Sequence, residues 1–451
     1  MSQAPFIIGS GSNLTLQSGS IIPFAAPASF VVFSGSIVGI TGPYYAINGS
    51  NNKVDYFGSD GTTVIQNTIN AISSGSIFIK EGIYLTTFTL KNNVNIIGSG
   101  INSTIIKQPN SINGDVISGN TLSNIVIRDF SIDGNKANNP TGDNGISLVD
   151  ISNINITRVS SFNNKLKGFA ISDSGSNIVF DSIESYSNDQ DGIGLASGTT
   201  GSGKICKNIF ITNSYIHDNT IYGIGLVVPT NAYSQTENVS IINNRIINNA
   251  SYGIEIFGAK APIIIGNHIE KSGNHGIDLG SVGDDAFLVT NATIIGNIIK
   301  NGATQGIRVQ SASGSRIIGN RCFDDQAVKT QTYGIGINAG SQNLIMGNDL
   351  NGNLTGPIDG SNGTFDVINN LGYNPQALAT IAVGASVFTY TNNDGYPEEV
   401  QITGGTVSTV IFIRNAVSTD LGVTSGIFLL GPRDALQITY SSAPTMRKIP
   451  Y

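Results

Sequence analysis

The sequence predicts an all-β protein: a right-handed single-stranded parallel β-helix with a short N-terminal capping helix and a small C-terminal β-sandwich-like module. Three observations lead there. First, a phrase Gly-Ile-x-aliphatic (Phe169 once replacing Ile) recurs at "NGISL", "KGFAI", "DGIGL", "YGIGL", "YGIEI", "HGIDL", "QGIRV" and "YGIGI". Its glycines, Gly145, Gly168, Gly192, Gly223, Gly253, Gly276, Gly306 and Gly334, are spaced by 23, 24, 31, 30, 23, 30 and 28 residues, a base period of about 23 with loop insertions. Second, another phrase lies between these copies, running from "NIVIRD", "NINITR" and "NIVFDS" to "TIIGN", "RIIGN" and "LIMGN". Third, both phrases alternate with period two between Gly/Asn turns and show no helical periodicity. One such unit cannot bury its own apolar face, so copies must stack. A β-propeller needs periods near ~40 residues with aromatic signatures, which are missing.

Taken in order, residues 1–54 are punctuated by Gly, Ser and Pro, with short strands "FVVFSG" and "YYAING", and are expected to form a small β module or arm. Residues 62–72 read as a short helix with Asp60 near its N-cap and Val64, Ile65, Ile69 and Ile72 on one face. It would shield the open end of the first coil. The coils are expected to occupy residues 55–373. After "NPQ" the repeat stops, and residues 374–451 read as the sandwich-like module, with strands such as "SVFTYTN" and "STVIFIR" and turns at "NNDG" and "GPRD".

Bulk properties exclude several classes. The 451 residues carry a net charge of −7, with only 12% charged residues and the basic ones scattered singly. Nucleic-acid binding, which needs clustered Lys/Arg against phosphates, is not expected. No stretch reaches the ~20 apolar residues of a membrane span. The N-terminus "MSQAPFIIGSGSN" shows no signal peptide, while the Asn/Ser/Thr-rich composition reads as extracellular. Cys206 and Cys322 fall about four coils apart, beyond the ~7 Å reach of a disulfide, and are expected to be free thiols.

The order of short helix, "IFIKEGIYL" strand, "LKNNVNIIGSG" turn and Gly-Ile-x-aliphatic coils resembles the pectate-lyase superfamily of β-helices, and within it the tailspike and tail-fibre proteins of viruses. The resemblance spans about residues 55–370 and is specific for fold, since the superfamily includes lyases, hydrolases, epimerases and non-enzymatic adhesins. It implies a virion tailspike or tail-fibre attachment protein recognising a host surface glycan, with or without glycan-degrading activity. It also implies a homotrimer that contacts other tail proteins through its N-terminal region, located in the virion or outside cells. A polysaccharide lyase or glycoside hydrolase, and a non-viral adhesin, are the alternatives.

The chemistry is sought on one column. In Gly-Ile-x-aliphatic the x residue points away from the core, and stacking aligns successive x residues about 4.8 Å apart. That column reads Ser147, Ala170, Gly194, Gly225, Glu255, Asp278, Arg308, Gly336. Glu255 and Asp278 are the candidate catalytic carboxyls, expected near the ~5–5.5 Å separation of retaining glycosidases and with pKa values pushed apart. Arg308, Gln310, Phe257, Tyr222, Tyr252 and His275 are the candidate substrate-binding residues, the arginine for an acidic sugar and the rings for stacking. The same acids and arginine equally fit a solvent-exposed salt-bridge ladder worth under ~1 kcal/mol per pair, and Val227 and Phe257 fit contacts between copies. No cofactor is expected. The acidic pairs Asp189/Asp191 and Asp284/Asp285 fit either Ca²⁺ ligands or ordinary turn residues, with the turn favoured. His217, His268 and His275 lie on separate coils without metal-ligand spacing.

Overall fold

The computed structural model describes residues 28–36, 42–198, 204–226, 235–280, 288–360, 365–373, 378–393 and 397–450. The chain divides into two compact units, residues 1–343 with 348–364, and residues 344–347 with 365–451.

The first unit is the β-helix. The strands β1 (Phe30–Ser34), β2 (Tyr44–Asn48) and β3 (Lys53–Gly58) form an antiparallel meander. β1 also pairs in parallel with β4 (Gly75–Ile79), the first strand of the coils. Residues 30–58 are therefore part of this unit, and the boundary expected at residue 54 has no counterpart among the described residues. Of the 1–54 module expected to dock to a particle, residues 1–27 and 37–41 lie outside the described residues. Helix α1 spans Gly61–Ala71 with Asp60 as N-cap, its carboxylate accepting from the Thr62 and Thr63 amides. Val64, Ile65 and Ile69 are buried, and α1 packs on β2 and β3 as a lid over the first coil.

Beyond β4 the coils stack in register. The Gly-Ile-x-aliphatic strands pair in parallel so that Ile193, Ile224, Ile254, Ile277, Ile307 and Ile335 form one inward column, all fully buried. The second phrase builds another sheet, with Ile209, Val239, Ile264, Ile294 and Ile317 inside, and the short strands from Glu184–Tyr186 to Arg321–Phe323 build a third. At the turns, buried asparagines bond rung to rung. Asn244, Asn267, Asn297, Asn320 and Asn348 form one such ladder, each side-chain amide donating to the next carbonyl oxygen at 2.9–3.0 Å. Other turn asparagines adopt positive φ, such as Asn213 at 51° and Asn243 at 56°, a conformation Asn tolerates better than most residues. Cys206 and Cys322 are buried and free.

The second unit contains two four-stranded antiparallel sheets. Alternating residues of both, Val400, Ile402, Leu430 and Met446 with Val410, Leu436 and Ile438, close one core, as a sandwich requires.

Candidate functional site

Register fixes the column of interest. Ser147, Ala170, Gly194, Gly225, Glu255, Asp278, Arg308 and Gly336 are consecutive cross-rung partners, preceded by Ser118 and followed by Asp359. The neighbouring position aligns Phe257 with Gly280. The residues just before the glycines stack as rings: Tyr222 on Tyr252 at 5.4 Å and Tyr252 on His275 at 5.3 Å, nearly parallel. Val227, Asp284 and Asp285 lie outside the described residues.

The column does not form a solvent-exposed ladder, because Glu255 and Asp278 are both 0% exposed. Each is walled in by larger neighbours. Tyr222 and Tyr252 flank them on the pre-glycine side, and the Phe257 ring occupies the space where Gly280 lacks a side chain, 2.2 Å from where a Cβ would stand. Arg308 closes the next rung. Its Nε donates to Asp278 Oδ1 at 2.6 Å, its Nη2 donates to Oδ2, and its guanidinium lies 5.7 Å from the Tyr252 ring centre. The pair is bidentate, the strongest form of Arg–carboxylate contact.

Glu255 and Asp278 are cross-rung partners on adjacent coils, carboxyl beside carboxyl. With both groups ionised, neither Glu255 oxygen meets a donor; a proton on Glu255 supplies one. Burial first, and then the adjacent Asp278 charge, hold the Glu255 carboxyl well above the usual carboxylate range. The cluster then consists of a neutral acid, a carboxylate and a guanidinium, with no net charge. Burial pulls the Arg308 pKa down, but the Asp278 hydrogen bonds and charge outweigh it and raise the value. Burial, then the proximity of Arg308, lowers His275 to about 3, so its ring is neutral. His275 Nδ1 accepts from the Gln305 amide at 3.4 Å and lies 2.6 Å from the Thr304 hydroxyl. Burial, with Glu255 next in weight, pushes Tyr222 up to about 12.

The structure thus brings Glu255, Asp278, Arg308, Phe257, Tyr222, Tyr252 and His275 together. Gln310 follows on the Arg308 rung, half-buried, and its amide donates to the Leu279 carbonyl. Sequence reasoning missed Lys167, whose Nζ pairs with the buried Asp191 at 2.6 Å and lies over the side-chain-free Gly194. Its signal was present: Asp191 and Lys167 occupy the pre-glycine positions one and two rungs below Tyr222. The other acid considered for Ca²⁺, Asp189, is held by Lys136 at 2.7 Å and Lys165 at 2.8 Å. Among the described residues, no three His, Cys, Asp or Glu converge as a metal site. His217 stacks on Tyr186 and Tyr215 on the third sheet, away from this column.

Chemically, the arrangement offers a protonated carboxyl beside a fixed carboxylate, beneath a half-buried layer of rings and one guanidinium.

The family described as "Right handed beta helix region" matches residues 231–395. The mannuronan C5-epimerase AlgE1 of Azotobacter vinelandii is 25% identical over 224 residues, covering 39% of this chain and 15% of that protein. The chain accordingly spans less than a quarter of the length of the curated relatives it matches. The surface adhesin PfbA of Streptococcus pneumoniae superposes with a TM-score of 0.56 at 17% identity, over 69% of this chain and 87% of that one. A tailspike protein of an Acinetobacter baumannii bacteriophage, a capsular polysaccharide depolymerase, does so with 0.52 at 12% identity, over 86% and 82%. At these identities the shared property is the fold, and the chain is a right-handed parallel β-helix protein.

Proposed function

We propose that this chain is an attachment protein of the tailspike kind, which holds a cell-surface polysaccharide along the face built by Tyr222, Tyr252, His275, Phe257, Arg308 and Gln310. The observation that carries the reading is the ring stack with Arg308 beside a buried acid pair on adjacent rungs. Rings and a few fixed polar groups on a rigid scaffold suit sugars, which present apolar faces edged by hydroxyls. The likeness to a capsule-depolymerising tailspike and to an adhesin supports a surface-glycan ligand, and the particle is the finer part of the proposal.

A second reading adds cleavage, favoured by Glu255 itself. A carboxyl kept protonated near neutral pH has the proton a general acid needs. Because Glu255 is fully buried, the reading requires the Tyr222, Tyr252 or Phe257 ring to swing aside for a glycosidic oxygen to reach it. Burial, and after it the charge of Asp278 fixed by Arg308, keeps the proton on Glu255.

The test is to incubate the purified chain with extracted envelope polysaccharides and measure both retention and fragments. Binding that falls at least tenfold in Arg308→Ala and Tyr252→Ala supports the glycan face; binding indifferent to both removes it. Fragments that vanish in Glu255→Gln while binding persists assign cleavage to this pair. Unsaturated ends then indicate a lyase, plain reducing ends a hydrolase, and retention without fragments an adhesin. The virion role predicts that the soluble chain blocks particle adsorption to cells that display the retained polysaccharide.

A further inference from the structure

The charged groups on the ring-bearing face are few, and they cancel. The x column and the pre-glycine column carry two cations among the described residues, Lys167 and Arg308. Each already faces a carboxylate that is closed off from water. Lys167 Nζ stands 2.6 Å from Asp191, whose side chain is 4% exposed. Arg308 grips the fully buried Asp278 through both Nε and Nη2. Glu255 lies on a rung between the two pairs and is neutral while it keeps its proton. Two cations are set against two carboxylates, and the balance is zero.

The surroundings supply no spare positive charge. Tyr222, Tyr252 and Phe257 add ring faces and phenolic hydroxyls, and burial, then the nearness of Arg308, keeps the His275 ring uncharged. Asp359, half-buried and paired in register with Gly336, adds a negative charge. The stretches 199–203, 227–234 and 281–287, which follow these strands in the chain and lie outside the described residues, contain no lysine or arginine and two aspartates, Asp284 and Asp285.

A sugar carboxylate laid on this face would lose water without gaining a free cation. It would have to displace Asp278 from Arg308 or Asp191 from Lys167. A displaced acid that cannot reach solvent costs more than the new pair returns. A neutral sugar requires no such exchange: its apolar face lies on the rings, and its hydroxyls accept from guanidinium donors that Asp278 leaves unused.

We propose that the glycan taken by this face is an uncharged polysaccharide, without carboxylate, sulfate or phosphate groups. Arg308, whose residue type suggested an acidic sugar, already has its anion and serves as a hydrogen-bond donor with its charge cancelled. The inference rests on the glycan reading above and narrows it.

Envelope polysaccharide split by anion exchange into a neutral and an acidic fraction provides the test, with retention on the immobilised chain measured for each. The neutral fraction is expected to be retained about tenfold better or more, since an unpaired buried charge is costly. Its retention should change less than about twofold between ~0.05 M and ~0.5 M salt, because no ion pair forms for salt to screen. Equal or preferred retention of the acidic fraction, lost in Arg308→Ala, overturns the inference and leaves the glycan face standing. Retention of neither fraction, or retention indifferent to Arg308→Ala and Tyr252→Ala, removes the glycan face itself and this inference with it. Asp191→Asn keeps the acceptor toward the Tyr222 amide and frees the Lys167 charge. It is expected to raise retention of the acidic fraction by about threefold or more; an unchanged value overturns charge balance as the cause of selection.

Discussion

Two buried polar columns run along the same helix and solve the same problem in opposite ways. In the asparagine ladder, Asn297 accepts from the Asn267 backbone and side-chain amides at 2.9 Å each, and donates to Asn320 and to the Ile264 carbonyl at 2.9 Å. Every rung supplies what its neighbour lacks. In the acid column, Glu255 stacked on Asp278 places acceptor against acceptor, and only a retained proton reconciles them. A fully satisfied column stabilises the scaffold, whereas a column that must hold a proton keeps a group poised for transfer. Buried polar groups left without an ordinary partner are the ones that need a functional explanation.

The largest expected effect comes from breaking the satisfied column. Asn297→Ala strands the Asn267 backbone amide and the Ile264 carbonyl and weakens the Asn267 side chain. At roughly 1–3 kcal/mol for each stranded group, unfolding is expected to be easier by about 4 kcal/mol, with no pH dependence between pH 5 and 8. Denaturant titration measures it, and a cost under ~1 kcal/mol would show that the ladder is decorative.

The acid column should behave differently. Glu255 has a folded-state pKa above its unfolded value of ~4.3. Its contribution is therefore complete below that pH and declines as pH rises toward the folded value, by up to about 1.4 kcal/mol per pH unit. Glu255→Gln keeps a donor toward Asp278 and does not ionise. The variant should match wild type near pH 4 and become more stable by about 2 kcal/mol two pH units higher. Parallel stability curves would mean that Glu255 is ionised in the folded protein.

How much of this was legible in the residues follows from what period-two patterning encodes. The register of Glu255, Asp278 and Arg308 was readable because an inward aliphatic residue on each side leaves only one phase for x. The capping helix was readable from Asp60 and the spacing of Val64, Ile65 and Ile69. Burial of the acid pair was not, because alternation says only that a side chain leaves the core. Whether it then reaches solvent depends on the bulk beside it, here Tyr222, Tyr252 and Phe257, and on Arg308 folding back over Asp278. The join of β1 to β4 was illegible because no local pattern in "FVVFS" specifies a partner 45 residues on.

His275 supplies the smallest expected effect and the sharpest contrast, because its sign is reversed. Burial and Arg308 hold its folded-state pKa at about 3, against an unfolded value of ~6.5. The folded protein binds fewer protons in this window, so the contribution is complete above ~6.5 and is lost as pH falls. Between pH 6.5 and pH 5 the loss should reach about 2 kcal/mol in wild type. His275→Gln also gives up the ring stack on Tyr252, but at a cost that does not vary with pH. The measured quantity is therefore the change in the gap between the two proteins from pH 7.5 to pH 5, which should close by about 2 kcal/mol. A gap that stays constant would place a charged imidazole next to Arg308 and would remove the neutral ring from the proposed glycan face. With Glu255 penalising high pH and His275 penalising low pH, the site column is expected to be most stable between the two transitions. The asparagine ladder, having nothing to titrate, contributes equally throughout.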